Sequence, residues 1–271
     1  MAILRDPEIP EPPDVLILES TYGDRLHSPM AGMETELAEA INRTAARKGK
    51  VLVPSFSLER TQEFVYALHR LTLRQAIPPI PIYVDSPLSV RITEIFKLHP
   101  ECFDDETRAF MRQSGDPFGF ENLTYISNVE DSKALNGREG PMVIIAASGM
   151  CEAGRILHHL RNGIENPRNT ILIIGFQAKN TLGRKIVERQ PSVRIFGVER
   201  SLEAEVVVMD AFSAHADRDD LLDFVGRCRS SLRRVFLVHG EEEQMLPFGE
   251  RLTRLGIPGV HAPMLGEFAR I

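Results

Sequence analysis

The chain has 271 residues, of which 43% are hydrophobic and 26% are charged, and its formal net charge is −6. This composition is typical of a globular protein with room for one large or two ordinary domains. The acidic balance excludes a globally basic nucleic-acid binder, although a local basic groove around a site remains compatible with it.

The cysteines Cys102, Cys151 and Cys228 are scattered and show no Cys-x-x-Cys spacing. Disulfides and thiolate zinc sites are therefore not expected, and a reducing compartment fits this pattern. The sequence has no apolar run of membrane-spanning length and no signal-peptide pattern at its start. We therefore expect a cytoplasmic protein that has no membrane partner.

Strand and helix patterns alternate up to about Pro191. The apolar run Val15–Leu18 predicts a strand that is buried on both faces. Further strands are predicted at Lys50–Phe56, Ile80–Val84, Leu123–Ser127, Pro141–Ala147 and Thr170–Gly175. Helices are predicted over Glu34–Lys48, Ser57–Arg74, about Pro87 to Leu98, Asp104–Gln113, a segment carrying His158 and His159, and a segment ending at Arg189. This alternation predicts the α/β class, with a mostly parallel, Rossmann-like sheet covered by helices on both faces.

The pattern changes after about Pro191, where we place a domain boundary. Val193–Val198 and Ala204–Met209 are two predicted strands without an intervening helix, which indicates a hairpin-like return. A helix over Asp219–Cys228, a strand at Arg234–Val238, a helix over Gln244–Leu255 and a last strand near Val260 are predicted to follow.

Three polar residues stand at the ends of apolar strand patterns: Glu19, His215 and His239. Open α/β sheets place their active sites at such strand ends. Imidazole is the commonest nitrogen ligand for zinc, and it is also the side chain that titrates nearest neutrality. Each residue could equally be an ordinary strand-end group. Two histidines and one carboxylate do not fill a catalytic zinc site, so either more ligands come from elsewhere or the site is not metallic.

Two glycine-containing loops have features that suit a phosphate. The first carries Ser148, Gly149 and Arg155, and the second carries Lys179, Thr181 and Arg184. Exposed amides at a helix N-terminus beside a guanidinium can bind an anion, but a pair of tight strand-to-helix turns explains both loops as well. His158 and His159 are adjacent and would point about 100° apart on a helix, which favours packing or positioning over shared metal ligation.

Several stretches resemble signatures of the β-CASP group of RNA- and DNA-processing hydrolases, which have the metallo-β-lactamase fold. The main ones are Glu19-Ser20-Thr21-Tyr22-Gly23, Phe212-Ser213-Ala214-His215-Ala216-Asp217 and Val238-His239-Gly240-Glu241. The stretches Ala147–Leu160, Gly175–Arg184 and His261–Glu267 are similar to further parts of the family. The order is that of the family over nearly the whole chain. Within this group, the chain most resembles the bacterial and archaeal ribonucleases that are akin to the eukaryotic pre-mRNA 3′-end cleavage subunit.

The resemblance implies a zinc-dependent ribonuclease that hydrolyses phosphodiester bonds in RNA processing, with two Zn²⁺ ions in the complete enzyme and RNA as partner. It implies that Glu19 hydrogen-bonds His215, that His215 is the general acid, and that His239 is a zinc ligand. It also implies that the two glycine-containing loops face the RNA backbone. The implied domains are a metallo-β-lactamase strand in 1–23, a β-CASP domain in 24–192, and the C-terminal part of an αββα metallo-β-lactamase domain in 193–271. A homodimer is left open.

The sequence departs from the family in two ways. Lys179-Asn180 stand where the family usually has a glycine before the threonine. The family's His-x-His-x-Asp-His run and its remaining metal ligands are not found, and their place would be upstream of Met1. We therefore expect a fragment that lacks the N-terminal metal-binding part and is catalytically incomplete alone. The alternative is a non-catalytic RNA-binding or scaffold protein derived from the same family. A small-molecule enzyme would need a phosphate fingerprint that is absent here.

Overall fold

The computed structural model describes residues 3–8, 11–28 and 32–269 and divides into two compact units. The first unit comprises the described residues of Met1–Asp6 and Ser28–Ser213. The second comprises those of Pro7–His27 and Ala214–Ile271. No helix in the described ranges is both long enough and apolar enough to cross a membrane.

The strands and helices follow one another along most of the chain. In chain order the strands are β1 (Val15–Glu19), β2 (Lys50–Pro54), β3 (Ile82–Asp85), β4 (Leu123–Ile126), β5 (Met142–Ala146), β6 (Thr170–Ile173), β7 (Ser192–Ile195), β8 (Val198–Ser201), β9 (Glu205–Val208), β10 (Arg234–Val238) and β11 (Val260–His261). The helices are α1 (Met33–Ala46), α2 (Arg60–Leu73), α3 (Pro87–Leu98), α4 (Asp105–Ser114), α5 (Val129–Gly137), α6 (Ile156–Gly163), α7 (Leu182–Val187), α8 (Arg218–Cys228) and α9 (Glu242–Arg254). Two 3₁₀ turns lie at Pro100–Cys102 and Asp210–Phe212.

The first unit contains a six-stranded, all-parallel sheet in the order β4-β3-β5-β2-β6-β9. Its central strands are fully buried because apolar residues cover both of their faces, as in Met142–Ala146. One face packs against α1 and α2 through residues such as Leu37 and Phe64, and the other against α6 through Ile156 and Leu160. The predicted α/β class with helices on both faces is confirmed.

The predicted hairpin between Val193–Val198 and Ala204–Met209 is wrong. The antiparallel hairpin is formed by β7 and β8, with Ile195 paired to Val198 across a tight turn. The turn residues Phe196 and Gly197 both have positive φ angles, of 51° and 77°, as a two-residue hairpin turn requires. β9 instead joins β6 in parallel at the edge of the six-stranded sheet. Residues 193–213 consequently lie in the first compact unit.

Two local predictions also differ from the structure. Ser57 does not cap α2; the helix begins at Arg60, and its N-cap residue Glu59 has φ 64°. The chain from Phe56 to Thr61 instead makes a tight turn, which the Thr61 hydroxyl closes by donating to the carbonyl of Phe56 at 2.7 Å. α5, in a region that the sequence left irregular, begins at Val129 and is capped by Asn128, whose side chain accepts from the amide of Asp131.

The second unit contains the three-stranded parallel sheet β1-β10-β11. Its core joins Leu18 and Leu237 of the sheet to Leu221 and Val225 of α8 and to Phe248 of α9. A capping box starts α8, because the Asp217 carboxylate accepts from the amide of Asp220 while the Asp220 side chain accepts from the amide of Asp217. This cap fixes the chain immediately after His215.

Candidate active site

The ends of two paired strands bring Glu19 and His239 to one edge of the second unit. β1 and β10 run parallel in a register that pairs Glu19 with Val238, so His239 is the first residue beyond that pair. The carboxyl ends of neighbouring parallel strands thus present both side chains on the same side. His215 reaches this edge from the segment before α8, and ligand atoms of the three residues all lie within 4.8 Å of one another.

Glu19 holds His215 through both of its carboxylate oxygens. The Nδ1–H of His215 donates to Oε2 of Glu19 at 2.7 Å, and the amide of Ala216 donates to Oε1 at 3.3 Å. The carboxylate therefore fixes both the ring and the backbone of the His215 segment. A proton on Nδ1 leaves Nε2 as the nitrogen on the opposite side of the ring.

The pKa of Glu19 is well below its usual value. Burial alone would raise the pKa, but hydrogen bonds from His215 and Thr21 outweigh this effect and lower it to about 2. Glu19 is therefore a carboxylate over the whole neutral range. A permanent anion at Nδ1 of His215 favours the tautomer described above.

Thr21 joins the two histidines, and the sequence reasoning did not single it out. Its hydroxyl donates to the carbonyl of His239 at 2.9 Å, which leaves the oxygen as an acceptor for Nδ1 of His239 at 3.1 Å. The same oxygen is 3.3 Å from Nδ1 of His215. The available signal was its position two residues after Glu19, where the chain turns back over the end of β10.

The chain after His239 passes so close to β1 that a side chain would not fit. A Cβ atom on Gly240 would lie 2.4 Å from the Oγ of Ser20 and 2.6 Å from its carbonyl oxygen. Ser20 Oγ also donates to the carbonyl of Val238 at 2.9 Å. The turn that carries His239, with φ 51° at that residue, therefore requires glycine at the next position.

The donor set fits part of a zinc site. With Nδ1–H of His239 held by Thr21, the lone pair of Nε2 faces away from that bond, which is the arrangement of a zinc-ligating histidine with an oriented tautomer. Both Glu19 oxygens already accept hydrogen bonds from the His215 segment. A catalytic zinc takes three protein ligands. Among the described residues of this edge, the cluster Glu19, His215 and His239 does not complete such a site.

The two glycine-containing loops lie in the first unit and pack on each other. They follow β5 and β6, which are both strands of the parallel sheet. The Gln177 side chain donates to the carbonyl of Gly149 at 2.9 Å, and the amide of Gly183 donates to the carbonyl of Met150 at 3.1 Å. The Glu152 carboxylate accepts from the amide of Leu182 at 2.6 Å. The sequence predicted the loops separately, but the structure makes them one surface.

Most of the predicted substrate-binding side chains have structural partners within this surface. Ser148 Oγ accepts from the amides of Glu152 and Ala153, and Thr181 caps α7 by accepting from the amide of Arg184. The Arg184 guanidinium pairs with Glu188 at 2.7 Å. Lys179 is exposed, and Gly149 lies against the ring of Phe56. Their contact with substrate stays a prediction.

Arg155 belongs to a buried network that the sequence did not reveal. Its Nη1 donates to Oδ1 of Asp85 at 2.6 Å, and Oδ2 of the same carboxylate accepts from Ser132 and from Nε2 of His159, each at 2.6 Å. Asp85 ends β3 and is fully buried. Burial alone would raise its pKa, but the hydrogen bonds from His159, Ser132 and Arg155 hold the pKa of Asp85 below its ordinary value.

The adjacent histidines of α6 point in different directions, as predicted. His159 is buried against Asp85 and Asn136, whereas His158 is exposed and its ring lies 4.8 Å from that of Phe196. The two rings therefore do not face a common ligand.

Comparison with known proteins assigns most of the chain to two described domains. Residues 61–186 match the Beta-Casp domain, and residues 200–263 match the Zn-dependent metallo-hydrolase RNA specificity domain. The first match covers the greater part of the six-stranded sheet, and the second covers the segment that carries His215 and His239.

Three relatives illustrate the similarity. The chain is 41% identical over 254 residues to Ribonuclease TTHA0252 of Thermus thermophilus, an alignment that covers 94% of this chain and 58% of the relative. It is 31% identical over 266 residues to Transcription termination factor FttA of Methanocaldococcus jannaschii, covering 95% and 42%. It is 29% identical over 248 residues to an RNase J-like protein of the same organism, covering 90% and 56%.

The chain thus spans between 42% and 58% of the length of these three relatives. The second domain match contains His215 and His239, whereas Glu19 precedes both matched ranges. On this combined similarity, the chain belongs to the β-CASP/RMMBL family of Zn-dependent metallo-hydrolase ribonucleases of the metallo-β-lactamase fold.

Proposed function

We propose that this chain supplies the proton-donating half of a zinc-dependent ribonuclease that hydrolyses phosphodiester bonds in RNA. The observation that carries the proposal is the 2.7 Å bond between Glu19 and His215 beside His239. A histidine oriented by a permanent carboxylate next to a metal-type histidine is the layout of a hydrolytic site. The similarity to Ribonuclease TTHA0252 supports the same substrate class.

His215 is the proposed general acid. Glu19 holds its Nδ1, so Nε2 is the atom that would give a proton to the leaving oxygen of the scissile phosphodiester. As general acid, His215 would carry a proton on each ring nitrogen, and the ionised Glu19 would keep the ring in place before and after the transfer. General acid catalysis of this kind contributes about 10² to 10⁴ in rate.

His239 is the proposed zinc ligand, through Nε2, with Thr21 as the group that orients its ring. Bound zinc would polarise the phosphate and lower the pKa of a water molecule to near neutrality. The donor set of this edge accounts for one such ligand. We therefore propose that the 271 residues are catalytically incomplete alone and that further ligands are needed for the two zinc ions of the active enzyme.

RNA is the proposed partner of the joined loop surface in the first unit. Ser148, Gly149 and Lys179 are the proposed contacts to the phosphate backbone, with Thr181, Arg184 and Arg155 shaping the loops around them. Backbone amides and a lysine at the ends of parallel strands suit phosphate oxygens.

We also propose a cytoplasmic location, which agrees with the absence of any disulfide among the three cysteines.

The test uses the complete natural protein that contains this chain, purified with zinc and assayed on a labelled single-stranded RNA. We expect His215→Ala to slow cleavage by about 10² to 10⁴ while the zinc content stays near that of the wild type. We expect His239→Ala to lower the number of zinc ions per chain as well as the rate. His158→Ala removes an exposed histidine that is not among the three residues of the site and is the matched control.

The outcome of both measurements decides between the roles. If His215→Ala loses zinc and His239→Ala keeps it, the two assignments are reversed. If neither variant changes rate or metal content, the proposed site is wrong. A wild-type protein that binds RNA and zinc but does not cleave would favour the alternative of a non-catalytic RNA-binding protein. Metal-dependent cleavage by the 271 residues alone would contradict the proposed incompleteness.

A further inference from the structure

A polar cavity of about 590 Å³ opens in the first unit at the edge where β2, β5 and β6 begin. This edge is opposite to the one from which the two glycine-containing loops emerge. The cavity lies between the last turns of α5 and α6, and Leu52 and Ile144 contribute apolar wall. Neither the proposed catalytic residues nor the predicted substrate-binding residues line it.

The cavity is positively charged although the chain as a whole is acidic. Lys48, Lys50, Arg138 and Arg168 line it, with Glu139 as the one carboxylate in the lining. Four cations against one anion contrast with the net charge of −6 of the whole chain. Such a local excess of one sign raises the local concentration of counter-ions.

These four cations have no carboxylate partner within the described ranges, whereas most arginines of the first unit do. Arg43 and Arg47 pair with Glu205, and Arg70 and Arg74 pair with Glu34. The lining of the cavity therefore keeps its positive charge uncompensated by the protein. Placing like charges together without counter-charges is unfavourable, and a bound anion would relieve it.

Two of the cations are held in place by hydrogen bonds that do not use all of their N–H donors. Lys50 Nζ donates to the carbonyls of Leu135 and Asn136 at the end of α5, at 2.9 and 3.2 Å, which uses two of its three hydrogens. Arg138 donates to the hydroxyl of Tyr83 at 2.6 Å and lies 5.4 Å from its ring centroid. Burial lowers the pKa of Lys50, and a nearby anion would offset that penalty.

We propose that this cavity is a second anion site of the protein and binds the phosphate of a nucleotide. Its volume lies in the range of small-ligand pockets and exceeds the need of a bare phosphate ion. Asn136, Asn162 and Asn166 in the lining each use one amide atom in a hydrogen bond within the protein, and their other amide atom is of the kind that meets ribose and base edges. Asn169 does not contribute, because its amide already bonds Lys50 and Gly163. The same phosphate chemistry is presented by a free mononucleotide and by the 5′ end of an RNA strand.

The first experiment measures binding to the complete protein by isothermal titration calorimetry, with adenosine 5′-monophosphate, adenosine and inorganic phosphate as probes. We expect the monophosphate to bind and adenosine to bind much more weakly. Lys48→Asn and Arg168→Gln should each lower the affinity for the monophosphate on the order of tenfold, because each removes a charged donor. Lys48 has φ 58°, a conformation that asparagine also accepts, so this change should not strain the backbone.

Arg161→Gln is the matched control, because Arg161 lies on α6 but outside the lining. It should leave binding unchanged. Equal affinity of wild type, Lys48→Asn and Arg168→Gln, or equal affinity for adenosine and its monophosphate, would overturn the proposal. Thermal unfolding of each variant shows whether the fold is intact, and a double variant that folds but binds normally is equally decisive against it.

A competition experiment distinguishes the source of the phosphate. A short RNA with a 5′ phosphate that displaces the mononucleotide identifies the cavity as a site for RNA ends, and an RNA that does not displace it identifies a free nucleotide. His215→Ala should bind the mononucleotide as tightly as the wild type, because His215 does not line the cavity. Failure of this proposal is thereby separable from failure of the proposed catalytic role of His215.

Discussion

Two carboxylate–histidine pairs among the described residues have their carboxylate at the end of a parallel strand, and the two pairs differ in burial. Glu19 ends β1 and binds His215 at 2.7 Å; Asp85 ends β3 and binds His159 at 2.6 Å. The side chains of the first pair are 28% and 29% exposed, and those of the second are 0% and 1% exposed. The same chemical contact therefore occurs once at a surface and once in a core.

The partners of each histidine show what the contact does. His159 has a hydrogen-bonding partner at each ring nitrogen, Asn136 at Nδ1 and Asp85 at Nε2, so its ring is fully used by the fold. His215 is held by Glu19 at Nδ1, and its side chain is 29% exposed. A histidine that is saturated and buried stabilises structure, whereas one that is oriented but accessible can exchange protons with a substrate.

The largest effect that separates the two pairs should be on stability. Asp85→Asn leaves the buried side of Arg155 without its anion, so we expect the free energy of unfolding to fall by about 3 to 5 kcal/mol. Glu19→Gln acts on a partly exposed pair, and we expect about 0 to 1 kcal/mol. Urea denaturation of both variants measures the difference. Equal losses in the two variants would show that burial does not distinguish the pairs.

A smaller effect should come from the third partner of Asp85. Ser132→Ala removes one of the hydrogen bonds to the buried carboxylate but leaves those of Arg155 and His159, so we expect a loss of about 1 to 2 kcal/mol. Ser114→Ala, at the exposed end of α4, is the control and should change stability little. A Ser132 variant as stable as this control would mean that Asp85 is held by its charged partners alone.

The sequence was sufficient for the sheet and for the exposed pair. Continuous apolar runs such as Val143–Ile145 are typical of strands buried on both faces, and their alternation with helices predicted the parallel sheet. Glu19, His215 and His239 were recognisable because each stands at the end of such a run. The structure brings these three residues together, while their roles in catalysis and metal binding stay proposals.

The buried pair and the edge strand β9 could not be read from the sequence for a physical reason. Asp85 and His159 are 74 residues apart, and neither position shows which polar partner it will meet in the core. β9 pairs with β6 instead of forming a hairpin because β8 returns first and occupies the partner position beside β7. Both features depend on contacts between distant segments, which periodicity and spacing do not encode.

The smallest expected effect concerns pH and the exposed pair. The pKa of Glu19 falls from 4.5 to about 2 in the folded protein, so its contribution to stability is complete above the unfolded value and is lost as the pH falls through the folded one. The advantage of the wild type over Glu19→Gln, at most about 1 kcal/mol near pH 7, should therefore shrink below about pH 4.5. Urea denaturation between pH 7 and pH 3.5 with a zinc chelator present measures this. An advantage that grows as the pH falls from 4.5 to 3.5 would contradict the bond between Glu19 and His215.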